Sequence, residues 1–407
     1  MDINLNERYS HRVQGMKKSV IRELLKLTAK PEIISFAGGL PSPKSFPVDE
    51  LKIVIDEVME NEPEVALQYS ATEGDQVLVE QLIKYGNKAG NDITEENLLV
   101  TTSSQQGLDL VSKVFIDPGA KVIVELPSYV GGLGAFNSYQ ADMIGVPQDA
   151  DGMSAEILRE KLEELDKHGE KPKFIYIVPD FQNPAGMTMT EERREEILEI
   201  AYEYKVLIVE DSPYRELRFE GEDVPTIYSM DDKGYVILLG TFSKIFAPGF
   251  RIGWIYANPE IRNKLVVAKQ STDLCSPAFS QRIIGRFMEK GYLEKNIEKI
   301  IEMYGKKKDL IIKYFNKYMP QEASWTEPEG GLFLLVSIPE HLDTSELFEI
   351  AIENNVAFVI GEAFHHDGSG KHTMRINFSY ATEEQLHKGI KRLGKSLKEF
   401  IQANKKE

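Results

Sequence analysis

The feature that most constrains the fold is an alternation in the middle of the chain. Short apolar runs at Leu98–Thr102, Val122–Glu125, Phe174–Val178, Val206–Glu210, Tyr235–Gly240 and Ile252–Ala257 are rich in Val, Ile, Leu or Tyr. Pro, Gly or polar residues bound each run, as expected of strands buried on both faces. Amphipathic stretches lie between them. Thr190–Ala201, for example, opens on a threonine suited to cap a helix. Strands alternating with helices predict a mostly parallel sheet covered on both faces, with one antiparallel edge or closing strand at a position the pattern does not give.

The pattern changes near residue 290. Tyr292–Tyr318 reads as one long Lys/Glu-rich helix. Gly331–Ser337, Ala357–Ile360 and Met374–Phe378 follow as strands, with helices between them and a last helix from Thr382. Ahead of the sheet, Glu50–Glu60 and Gln76–Ala89 have helical periodicity. A chain of 407 residues is too long for one core. The division expected is a large unit over 47–290 and a smaller α/β unit built from 1–46 and 291–407.

Composition narrows the function classes. Lys and Arg number 48 against 65 Asp and Glu, a net charge of −17. Such a surface repels phosphodiester backbones and anionic lipids, so neither nucleic acid nor membrane is expected as a partner. Cys275 is the only cysteine; together with an N-terminus lacking a signal-peptide pattern it suggests the cytoplasm. No run has the length of a transmembrane helix. His365 and His366 are adjacent rather than one helical turn apart, so no metal is expected.

Four segments at strand ends carry the chemistry, where open α/β sheets hold ligands. Thr102–Gly107, with Ser103, Ser104 and Gln105, joins a strand to a helix and suits an anion; by itself it is equally a helix cap. Asn183-Pro184-Ala185-Gly186 is a turn on composition alone. Asp211 and Tyr214 follow a buried strand, and a carboxylate there needs a partner to remain charged, unless it caps the next helix. Thr241, Ser243, Lys244 and Arg251 follow another apolar strand. A desolvated lysine with a lowered pKa is a Schiff-base nucleophile, whereas a solvated one is merely surface charge.

Taken in order, these segments resemble the class I/II aminotransferases of fold type I, the pyridoxal phosphate transferases. The nearest branch holds 2-aminoadipate/kynurenine aminotransferases and the aminotransferase-like part of MocR-type regulators. The resemblance runs from Phe36-Ala-Gly-Gly-Leu-Pro41 through Leu67-Gln-Tyr69 and the lysine segment to Arg375-Ile-Asn-Phe378. It implies a large domain with a mostly parallel seven-stranded sheet flanked by helices, plus a smaller α/β domain. It also implies pyridoxal 5′-phosphate on Lys244, Asp211 at the pyridine nitrogen, and Asn183 and Tyr214 at the phenolate oxygen. Tyr129 would stack on the ring, and Ser103, Ser104, Gln105, Thr241, Ser243 and Arg251 would hold the phosphate, joined by Tyr69 from a second subunit of a homodimer. Arg375 would grip the substrate α-carboxylate beside a backbone donor at Gly39.

The resemblance further implies a helix over Ser19–Leu25 that covers the site, where Arg22 meets a second carboxylate unless it lies on the helix's wet face. The expected reaction is ping-pong transfer of an amino group from an aromatic amino acid, 2-aminoadipate or a similar donor to 2-oxoglutarate. A decarboxylase or lyase on the same fold is the alternative. A MocR-like sensing domain is a more distant one, since no basic helix-turn-helix precedes residue 36.

Overall fold

The computed structural model describes residues 3–16 and 30–404. In chain order its strands are β1 Ile34–Ser35, β2 Leu98–Thr101, β3 Lys121–Leu126, β4 Asp142–Asp149, β5 Gly152–Met153, β6 Phe174–Ile177, β7 Leu207–Asp211, β8 Val236–Thr241 and β9 Gly253–Tyr256, then β10 Ser324–Trp325, β11 Phe333–Ser337, β12 Val356–Ala357, β13 Val359–Ile360 and β14 Thr373–Asn377. The large sheet has the order β2-β9-β8-β7-β6-β3-β4-β5. Seven strands form its body, and the two-residue β5 adds an eighth as a hairpin on β4. Strands β8, β7, β6, β3 and β4 run parallel.

Two strands run against that direction. One is the edge strand β5; the other, β9, is interior, antiparallel to both β2 and β8. The placement of β9 matters for the site. Its reversed direction brings its first residue, Gly253, opposite the last residues of β2 and β8, Thr101 and Thr241. Gly253 also needs its missing side chain: a Cβ there would lie 2.6 Å from the Gly240 carbonyl and 2.7 Å from the Ser104 nitrogen.

Side chains alternate across the sheet, as strand geometry requires. Ile123, Ile175, Ile177, Ile208 and Val236 pack on one face with Leu158, Leu162, Ile197 and Ala201 of the helices Ala155–Lys167 and Glu191–Tyr204. Val122, Val124, Phe174, Tyr176, Val209 and Leu239 face the other way, among Leu108 and Val111 of helix Ser103–Phe115 and Phe136 of helix Val130–Ser138. Each buried aliphatic side chain contributes roughly 1.5–3 kcal/mol relative to exposure. The Thr190 hydroxyl caps helix Glu191–Tyr204 by accepting from the Arg193 N–H at 3.3 Å.

The C-terminal part forms a four-stranded antiparallel sheet, β10-β11-β14-β13, and β1 pairs with β12 in a separate ribbon. Helix Tyr292–Tyr318 buries Leu293, Ile300, Tyr304, Ile311 and Phe315 at alternating seven- and four-residue spacing, one helical face, and packs on the final helix Glu383–Ala403. Among the described residues, no helix is long and apolar enough to cross a membrane, and no His/Cys/Asp/Glu group has the makings of a metal site.

Candidate active site

The C-terminal ends of β2, β3, β6, β7 and β8 converge on one edge of the sheet, and the segments leaving them bring the site together. Asp211 is the last residue of β7 and is 1% exposed. Alternation puts it on the same face as Val209, whose parallel neighbour is Tyr176. The Tyr176 hydroxyl donates to Asp211 Oδ2 at 2.9 Å, while Oδ1 is buried with no partner among the described residues. Burial pushes the Asp211 carboxyl up to about 7, and the tyrosine opposes that rise. The residue therefore caps no helix; it keeps one carboxylate oxygen, Oδ1, free of any hydrogen-bond partner among the described residues.

A hydrogen-bonded chain crosses the floor. Asn183 Nδ2 donates to the Tyr214 hydroxyl at 3.3 Å, and its Oδ1 accepts from Arg375 Nη1 at 2.9 Å. Arg375 lies in mid-strand in β14, 1% exposed, so it is no solvated edge arginine. Its Nη2 donates to the Ala37 carbonyl at 2.7 Å, and its guanidinium carbon lies 4.3 Å from the Phe333 ring centre and 5.1 Å from that of Phe364. Desolvation in this aromatic slot brings it down to about 10. Nε is buried without a partner among the described residues.

Lys244 follows β8 in the turn after Thr241 and is half-buried. Its Nζ donates to the Gly39 carbonyl at 2.8 Å. Desolvation first, then the nearby Arg375 and Arg251 charges, lowers it to about 8. Its neutral fraction at pH 7.5 is then roughly a quarter, against ~0.1% for an ordinary lysine. Gly39 thus engages through its carbonyl, as an acceptor for the lysine.

The anion cradle joins β2 to β9. Helix Ser103–Phe115 starts at Thr102. Arg251, just before β9, donates from Nη2 to Ser103 Oγ at 2.5 Å. Both are non-glycine residues with positive φ, 63° for Ser103 and 55° for Arg251, a conformation costing about 1–2 kcal/mol each. The Thr241 hydroxyl donates to Ser243 Oγ at 2.9 Å and accepts from the Ser243 N–H. Gln105 Nε2 donates to the Gly131 carbonyl at 3.0 Å. A Cβ on Gly131 would sit 2.4 Å from the Tyr129 ring, so this glycine lets the ring lie against the backbone. Ser104 occupies the first turn of the same helix.

One expected residue lies apart from this cluster. Tyr69 is 79% exposed, turned away from its own chain. Arg22 falls outside the described residues. Other residues enter the site unforeseen. Besides Tyr176, Glu125 in β3 is 1% exposed, and its Oε2 accepts from the Val178 N–H at 3.0 Å and from Gln182 Nε2 at 3.2 Å. It thereby ties down the segment leading to Asn183. A carboxylate inside the apolar run Lys121–Leu126 was the available signal, and burial raises it to about 8.

The residues present fit pyridoxal phosphate. Asp211 Oδ1 matches a protonated ring nitrogen, the Lys244 amine matches an aldehyde, and Arg251 with the helix start matches a phosphate dianion. Comparison with known proteins agrees. The family described as aminotransferase class I and II matches residues 44–393. The chain is 47% identical over 392 residues to an aromatic-amino-acid aminotransferase of Thermococcus litoralis, covering 96% of this chain and 94% of that one. It is similar to the Pyrococcus horikoshii kynurenine aminotransferase solved with pyridoxamine phosphate, at a TM-score of 0.94 and 46% identity over 97% of this chain and 98% of that one. It is also similar to the α-aminoadipate aminotransferase of Thermus thermophilus solved with a phosphopyridoxyl-leucine adduct, at 0.91 and 35% over 98% and 100%. The chain therefore belongs to the class I and II aminotransferase family and is a pyridoxal phosphate-dependent transaminase acting on amino acids and 2-oxo acids.

Proposed function

We propose that the enzyme moves an amino group from an aromatic amino acid, 2-aminoadipate or a similar donor to 2-oxoglutarate by a ping-pong route, with Lys244 carrying the cofactor. The buried chain Tyr214–Asn183–Arg375 beside a lysine lowered to about 8 is the observation that carries this reading. The relatives named as aromatic, kynurenine and α-aminoadipate aminotransferases support the donor class.

Bound pyridoxal phosphate supplies an electron sink for the electron pair left when the substrate Cα–H bond breaks. The chain supplies the rest. Asp211 Oδ1 would hold a proton on the ring nitrogen. Asn183 and Tyr214 would donate to the phenolate oxygen, and Tyr129 would cover the ring face. Ser103, Ser104, Gln105, Thr241, Ser243 and Arg251 would bind the phosphate, which would keep the ring in place when Lys244 lets go. Arg375 pairs with the α-carboxylate, and its rigid slot fixes which substrate bond faces the reacting centre. Once freed, the Lys244 amine would be the group that takes the Cα proton and returns it at the carbon that carried the aldehyde.

The exposure of Tyr69 and Leu67, 79% and 67%, supports a homodimer in which Tyr69 reaches the partner subunit's phosphate cradle. Arg22 is assigned to a second carboxylate of 2-oxoglutarate or 2-aminoadipate, the division at residues 47 and 290 separates cofactor and lid units, and the enzyme acts in the cytoplasm. A half-reaction screen tests the reading. The loaded enzyme, given single amino acids without acceptor, should convert its bound cofactor to the pyridoxamine form with aromatic amino acids, 2-aminoadipate and glutamate. Conversion by none of these would overturn it.

A further inference from the structure

The Asp211 carboxylate has a companion that the cofactor chemistry does not require and that the fold makes deliberate room for. Tyr176 sits at the centre of β6, fully buried, its ring edge-on to Phe136 at 5.1 Å between centres. Its hydroxyl donates to Asp211 Oδ2. The ring reaches this place only because helix Val130–Ser138 has glycine at position 132. A Cβ there would lie 2.8 Å from Tyr176 Cε1, 2.9 Å from Cζ and 3.0 Å from the hydroxyl oxygen. Real Cβ atoms essentially never approach so closely, so any side chain at 132 must push the phenol aside.

Asp211 has little other support. Oδ1 has no partner among the described residues, and the tyrosine is the one group acting to lower a carboxyl that burial raises. The phenol itself is held well above its ordinary pKa by burial and by Asp211, so it stays protonated and donates. Rotation about the aspartate side chain would exchange the two oxygens. The hydroxyl removes that freedom by fixing Oδ2 and leaving Oδ1 as the oxygen without a partner among the described residues.

We propose that Tyr176, seated by Gly132, is a positioning residue that keeps Asp211 ionised and aimed so that Oδ1 meets the cofactor's ring nitrogen. The inference rests on the proposed role of Asp211 and deepens it. Losing one hydrogen bond to a buried charged group predicts a change of roughly tenfold or somewhat more in what that group does.

The test uses the full-length protein stripped of cofactor and titrated with pyridoxal phosphate, followed by steady-state kinetics on the reloaded enzyme. Tyr176→Phe removes only the hydroxyl. It should weaken pyridoxal phosphate binding about tenfold and lower kcat by a similar factor, with KM for the amino donor nearly unchanged. Gly132→Ala leaves the hydroxyl in the chain but displaces it, and should give the same split. Because both act through one bond, the double variant should be no worse than the more impaired single one. In an Asp211→Ala background, Tyr176→Phe should change neither quantity further. A tyrosine effect of equal size in that background would overturn the inference while leaving the Asp211 assignment standing. Asp211→Ala with undiminished cofactor affinity and turnover would sink the Asp211 reading itself. Should Tyr176→Phe melt early, Gly132→Ala decides alone: unchanged cofactor affinity and kcat would refute the seating.

Discussion

Replacing Arg375 by methionine should separate what this residue does for folding from what it does for substrate. The guanidinium is buried in a slot between Phe333 and Phe364, and burial brings it from the usual arginine range down to about 10. A shift of that size is on the order of 3 kcal/mol against the charged form. Methionine fills much of the slot without the charge, so that cost disappears. Against it, the Asn183 amide oxygen and the Ala37 carbonyl lose their donors, at ~1–3 kcal/mol each when left unsatisfied. The two effects largely offset each other, and stability should change by no more than about 3 kcal/mol, or several degrees in Tm. Catalysis has no such compensation. Loss of two charge-assisted bonds to the α-carboxylate should lower kcat/KM by roughly 10²–10⁴-fold for every amino acid alike. Thermal melts and half-reaction saturation curves measure the two effects separately. A collapse of stability with normal saturation curves would show that Arg375 serves the fold and that the carboxylate is anchored elsewhere.

Other changes probe the remaining assignments. Lys244→Ala should abolish turnover and the bound cofactor's visible absorption; retained steady-state turnover contradicts its role. Asp211→Asn should fold normally and slow Cα proton abstraction by orders of magnitude, so near-normal single-turnover rates count against it. Gly253→Ala forces a Cβ to within 2.6 Å of the Gly240 carbonyl and 2.7 Å of the Ser104 nitrogen. It should cost about 1–3 kcal/mol and speed cofactor loss on dialysis, whereas unchanged retention would detach β9 from the cradle. Cofactor capture by the stripped protein should accelerate with rising pH through a midpoint near 8, because only the neutral Lys244 amine attacks and its pKa is lowered to about 8. A midpoint near that of an ordinary lysine would show that the amine is not desolvated.

The sequence carried the strand ends and the residues leaving them, because those signals are local. Lys244 after Val236–Thr241 and Asp211 at the end of Leu207–Asp211 stand out as charges against apolar runs. Strand β4 escaped notice for the converse reason. It contains Gly145 and Pro147, and most of its length is partly exposed, as strands near a sheet edge often are. The interior reversal at β9 was also hidden, since strand direction is a property of pairing and leaves no mark in composition. Tyr176 and Glu125 read as ordinary members of buried strands; their importance depends on which residues of neighbouring strands they meet. Arg375 is assigned to the α-carboxylate by resemblance alone; its burial depends on β11 and β13 pairing on both sides of it.

The central claim is that Lys244 is the residue that carries the cofactor. The most direct measurement is borohydride reduction of the loaded protein, proteolysis and mass spectrometry of the peptides. The account predicts one phosphopyridoxyl group per chain, attached at Lys244 and absent from Lys244→Ala. Label at a different lysine, or equal labelling of the variant, would contradict it.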